Sequence, residues 1–163
     1  MYLRGVDWVV GIVYAGFLAG SGTLAVIDVR TRLLPNRILY PLFAYGVVGL
    51  TLGSWIGHEW WRLVVAAIAG ALCFGLFWLL WFFGGMGFGD VRLIGVIGFY
   101  LGWAGIGSVE IGVTLGTLVA SVYQLGKLLL HKATRKSELA FGPYLIGGAW
   151  AALALEAAVL LSR

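Results

Sequence analysis

LIGVIGFYLGWAGIGSVEIGVTLGTLVASVYQLG, residues 93–126, is one apolar stretch interrupted by a single charge, Glu110. As one helix its 34 residues would run about 51 Å at about 1.5 Å per residue. The hydrocarbon core of a bilayer is only about 30 Å thick, so one span uses about 20 apolar residues. The stretch is too long for one crossing and suits two, with the turn near Gly105, Gly107 and Glu110. Elsewhere the uncharged runs Trp8–Ile27, Ile38–Gly57 and Leu63–Phe83 give three more spans. A last run, Phe141–Leu161, carries only Glu156. The chain therefore reads as an all-α polytopic membrane bundle of about six transmembrane helices, with residues 1–163 forming a single transmembrane domain.

Composition points the same way. Hydrophobic residues make up 61% of the chain and charged residues 11%, against about 25% charged in a soluble domain. Too few polar groups remain to cover a water-facing surface. Trp8–Ile27 is longer than the roughly 7–15 residues of a signal-peptide core. It runs into Asp28 and three arginines rather than a small-residue cleavage site, so it reads as the first span. Cys73 is the only cysteine, which excludes a disulfide framework and a thiolate zinc site.

The basic residues orient the bundle. Loops one, three and five hold eight of them: Arg30, Arg32, Arg37, Arg92, Lys127, Lys132, Arg135 and Lys136. Arg4, Arg62 and Arg163 fall on the other side. The excess places the odd loops in the cytoplasm and both termini outside it. The net charge of +4 is thereby assigned to anionic lipid, and no nucleic acid is expected. Gly95, Gly98, Gly102 and Gly105 follow at helical spacing, and Gly16/Gly20 and Gly112/Gly116 are each four apart. Such small-residue faces let helices approach closely in lipid. Trp55, Trp60 and Trp61 suit an interfacial belt.

Topology sorts the seven acids. Asp7, Glu59 and Glu110 fall at outer ends, Glu138 lies among bases in the polar segment 131–138, and Glu156 either faces the bundle or snorkels. Asp28 and Asp90 differ, since both sit at cytoplasmic ends of spans. Singly, Asp28 could pair with Arg32 four residues on, and Asp90 could favour the positive end of its helix. Together they suggest acid–base chemistry. Two adjacent carboxyl groups share one proton, so one member accepts a proton from water while the other donates. His58 and His131 fall on opposite faces. No Ser-His-Asp set or metal-ligand cluster is evident, and neither a cofactor nor a metal is expected. Gly84, Gly85, Gly87 and Gly89 precede Asp90; Gly87 and Gly89 would give the backbone freedom and let a substrate strand approach.

Three segments resemble one family. GMGFGDVRLIGVIGFYLGW, 85–103, resembles the GxGD segment of type IV prepilin peptidases, which are bacterial membrane aspartyl proteases. DVRTRLLPN, 28–36, resembles their first aspartate motif, and LAFGPYLIGG, 139–148, their late Phe-Gly-Pro segment. The resemblance implies that Asp28 and Asp90 are the catalytic pair. It implies as partner the basic leader of a prepilin or pseudopilin, followed by its apolar helix and cut after a glycine at the cytoplasmic boundary of the bacterial inner membrane. Gly87, Gly89, Arg92, Pro35, Asn36, Phe141, Gly142 and Pro143 are the motif or substrate-proximal residues. Arg92 stands where the family usually has lysine. Pro35 and Asn36 also suit a helix start, as do Gly142 and Pro143. The chain looks like a short stand-alone form, so peptidase activity without N-methylation is expected. A small proton-coupled transporter and a non-catalytic pilin-assembly protein are the competing readings. A protease of the presenilin type fits less well, because its first aspartate lies mid-span. The substrate system, the oligomeric state and the aspartate that holds the proton are left open by the sequence.

Overall fold

The computed structural model describes residues 3–31, 34–83, 87–129 and 141–162. Arg32, Gly84, Gly85, His131, Lys132, Arg135, Lys136, Glu138 and Arg163, named above, lie outside the described residues, as do the side chains of Arg4 and Lys127. Six helices form: α1 Leu3–Thr31, α2 Asn36–Gly57, α3 Trp60–Phe82, α4 Phe88–Ala104, α5 Ile106–Leu129 and α6 Gly142–Leu161. Among the described residues there is no strand.

The long apolar stretch divides as its length demands, and the break is a single residue, Gly105. Its N–H donates to Leu101 O at 2.9 Å and closes α4, while Ser108 N and Val109 N donate back to its carbonyl and open α5. Gly107 and Glu110 therefore belong to α5, not to the turn. Helix α4 starts at Phe88, before the apolar run at Leu93, because Asp90 N and Val91 N already bond to Gly87 O. Likewise α1 continues past the last uncharged residue, so Asp28 lies inside its final turn. Hydropathy marks where a helix meets lipid, whereas the hydrogen-bond ladder carries on beyond it.

Five of the helices are long and apolar enough to cross a membrane. The remaining one, α4, has 17 residues, about 26 Å, and it occupies the centre. Twelve of its 17 residues are buried, so protein surrounds it where the others present residues such as Leu72 and Phe82, 67% and 68% exposed, to lipid. A buried polar atom in hydrocarbon must find its partner inside the protein. Around α4 three ring donors do: Tyr100 Oη donates to Leu42 O at 2.8 Å, Tyr14 Oη to Tyr100 O at 2.7 Å, and Trp103 Nε1 to Ser54 Oγ at 2.8 Å. Tyr100 also stacks on Phe17 at 4.2 Å between ring centroids. These bonds tie α4 to α1 and α2.

Helix α3 makes the broadest contact with α4, along Gly98 and Gly102. A Cβ on Gly102 would lie 2.7 Å from Ala69 Cβ and 2.9 Å from Ala66 Cα, and one on Gly98 would lie 3.0 Å from Ala69 O. Gly105, counted with this face in the sequence, instead caps the helix. Helices α5 and α6 close on each other in the same way through Gly112, Gly116 and Gly148. At the far end of the bundle from Asp28 and Asp90, Ser108 donates to Glu156, which faces the interior. Trp150 Nε1 donates to Ser21 Oγ at 3.0 Å and joins α6 to α1. Gly102→Val forces α3 and α4 apart and is expected to lower stability by about 1–3 kcal/mol. Gly75→Val, on the same pair of helices but with nothing within 4 Å, is expected to be near neutral; thermal unfolding of both variants in one detergent checks this.

Candidate active site

Helical periodicity puts both acids on inward faces. Phe17, Ser21, Leu24 and Asp28 follow at spacings of three and four along α1 and are all buried. Along α4, Asp90, Leu93, Ile94, Ile97 and Leu101 do the same. Such residues share one side of a helix, so the packing that buries the leucines also carries the carboxyl groups inward. Asp28 is 3% exposed and Asp90 5%.

The two helices deliver these groups to one place, against the start of α6. A Cβ on Gly142 would lie 2.6 Å from Asp28 Oδ2 and 3.2 Å from its Cγ. The Asp28 carboxyl thus rests directly on the bare Cα of Gly142, and a side chain there would displace it. The backbone N–H of Gly142 acts on both carboxyl groups, and the charge of Asp28 reaches Asp90. Asp28 Oδ2 is buried without a hydrogen-bond partner among the described residues, and neither carboxyl is in an ion pair there. A buried carboxyl oxygen left in that state is costly. Such sites occur where an arrangement serves something other than stability. Among the described residues no cluster of three or more His, Cys, Asp or Glu side chains gathers here or elsewhere.

The other residues singled out by sequence fall into three groups. Gly87 is exposed beside the pair: a Cβ there would meet Asp90 Oδ2 at 3.4 Å. Its φ of −73° and ψ of 144° suit any residue, so backbone freedom is not what this position uses. Gly89 lies inside α4, where a Cβ would press on Leu34 Cβ at 3.2 Å; its smallness seats the α1–α2 link. Pro35 precedes the first residue of α2, Asn36, and Phe141 and Pro143 flank Gly142 at the start of α6. Phe141 is half-buried and packs on the core. Arg92 stands apart from the pair. Two residues beyond Asp90, it projects about 200° round the helix and donates to Asn36 Oδ1 at 2.7 Å. The Asn36–Arg92 bond and the Asp28–Gly142 contact join residues from distant segments. Sequence named all four residues, but no local signal paired them.

A family model described as the type IV leader peptidase family matches residues 12–130. The chain belongs to this family. It is 34% identical over 134 residues to a prepilin leader peptidase/N-methyltransferase of Aeromonas salmonicida, covering 80% of this chain and 44% of the relative. Proteins of the same description from Dickeya chrysanthemi and Escherichia coli are each 32% identical, covering 88% and 77% of this chain and 51% and 55% of theirs. The chain thus spans about half the length of the curated relatives it matches. No solved structure matches it. With five helices fit to cross a membrane and bacterial relatives of this family, it is a multi-pass bacterial membrane protein. Because the Asp28 carboxyl rests on Gly142, Gly142→Val is expected to lower stability by about 1–3 kcal/mol through overpacking. Gly147→Val, with nothing within 4 Å, is expected to change it little. Unfolding curves of the two variants in the same detergent provide the comparison.

Proposed function

We propose that this protein is an aspartyl endopeptidase that removes the basic leader of a type IV prepilin or pseudopilin. The observation that carries the reading is the burial of two carboxyl groups, from the last turn of α1 and the first turn of α4, with Asp28 resting on Gly142. Burial at this cost is hard to explain by packing alone, and the names of the relatives supply the substrate class.

In the proposed reaction a water molecule lies between Asp28 and Asp90. The ionised carboxylate takes a proton from the water as its oxygen attacks the scissile carbonyl carbon. The protonated partner gives its proton to the carbonyl oxygen. Collapse of the tetrahedral intermediate then breaks the C–N bond: the leaving amine takes a proton from one carboxyl group while a hydroxyl of the intermediate returns a proton to the other, restoring the singly protonated pair. The exposed edge at Gly87 is the side on which an extended peptide would approach, with Phe141 flanking it. The excess of Arg and Lys in the odd loops supports a cytoplasmic position for this end of the bundle in the inner membrane, with both termini on the opposite side. A basic leader would be drawn there by the negative charge of the pair, which has no ion-pair partner among the described residues.

Asp28→Asn and Asp90→Asn are each expected to slow cleavage of a co-expressed prepilin by about 10²- to 10⁴-fold, the usual worth of a general acid or base. Both variants should reach the membrane and unfold near the wild-type temperature. Mass spectrometry of the pilin N-terminus gives the readout. Wild-type processing by either variant rules out the pair as the catalytic centre.

A further inference from the structure

On the side of α4 turned away from the carboxyl pair, a cavity of about 390 Å³ opens between α2 and α3. Its size falls within the roughly 300–1,000 Å³ of small-molecule sites. Its floor is Gly95 and Phe99 of α4, and its walls include Phe43 of α2 with Gly70 and Phe74 of α3. It exists because α2 and α3 touch each other sparsely while α3 packs broadly on α4. The lining is hydrocarbon and aromatic ring, with one charge, Arg92, at the end nearest the carboxyl pair.

That charge is held ready. The guanidinium lies 4.3 Å over the Phe88 ring and 6.0 Å from that of Tyr40, and a single hydrogen bond fixes Nη1 to the neutral amide of Asn36. Among the described residues no carboxylate pairs with it. A guanidinium carries five N–H donors, so a fork for two phosphate oxygens is free. From Arg92 to Phe99 the groove follows α4 for about 10 Å. An acyl chain matches a lining that is apolar along this length and carries its one charge at one end.

We propose that this groove is a binding site for one anionic phospholipid, its phosphate on the Arg92 guanidinium and one acyl chain lying between α2 and α3. Basic pockets between membrane helices capture anionic headgroups by this combination of charge and apolar wall. The site is independent of the peptidase reading. Asp90 and Arg92 share the first turns of α4, so the lipid would grip the helix that carries one carboxyl group.

The test is native mass spectrometry of the full chain, released from micelles titrated with phosphatidylglycerol or with phosphatidylcholine of the same acyl chains. Wild type is expected to retain one phosphatidylglycerol in preference to phosphatidylcholine. Arg92→Gln is expected to weaken phosphatidylglycerol by about 10- to 100-fold, the worth of a lost charge-assisted hydrogen bond. Ala71→Phe, at an exposed position on the groove wall, should block retention while leaving Arg92 in place. This second variant keeps the test decisive if Arg92→Gln does not fold. Equal retention of the two lipids by wild type would overturn the proposal. So would competition by glycerol 3-phosphate as effective as that by phosphatidylglycerol, which would reduce the site to a surface anion contact. Photo-crosslinking from position 71 that captures a prepilin helix in place of lipid would overturn it as well.

Discussion

The arrangement turns on the burial of two carboxyl groups where the end of α1 and the starts of α4 and α6 converge. Taking a carboxylate from water into an apolar interior is costly unless a partner offsets it. Here the offset is thin. Among the described residues Asp28 and Asp90 have no ion pair, and one buried Asp28 oxygen has no hydrogen bond. The rest of the bundle must supply the stability that this junction lacks.

It does so through packing. Lipid tails are as apolar as leucine, so helices in a membrane associate by close fit and by satisfied polar groups rather than by escape from water. The α3–α4 and α5–α6 seams use glycines that bring backbones into contact. Tyr14, Tyr100, Trp103 and Trp150 each spend their polar atom on another helix. The outcome is a protein-wrapped α4 whose first turn is fixed in position by neighbours along its whole length. Two carboxyl groups that cannot both ionise without repulsion are held together by this frame.

One helix thereby presents two unlike surfaces near the same end. Asp90 is buried beside Gly87, while Arg92 faces an open apolar groove shared with α2 and α3. A separation of two residues is enough, since it carries a side chain more than half-way round the axis. The pattern Asp-x-Arg thus reads differently once it is wrapped into a helix. The basic residue is no counter-ion to the acid, and the two serve different neighbours.

Much of this was legible in the chain alone. The number of helices follows from the lengths of apolar runs against a fixed bilayer thickness, and the division of residues 93–126 follows from that constraint. Asp28 and Asp90 stood out because acids are rare at the edges of such runs, and the three motifs in order pointed to the family. Tertiary structure decided what depends on neighbours distant in sequence. That Gly142 is the surface on which Asp28 rests, that Asn36 holds Arg92, that Glu156 turns inward to Ser108, and that α4 is the central helix are all matters of how helices pack. Periodicity fixes which face of a helix a residue occupies, but the same face can meet lipid, a groove or another helix with no change in the local pattern. Only the assembled bundle fixes that choice, because close contact in a membrane depends on shape matched between surfaces that the sequence holds far apart.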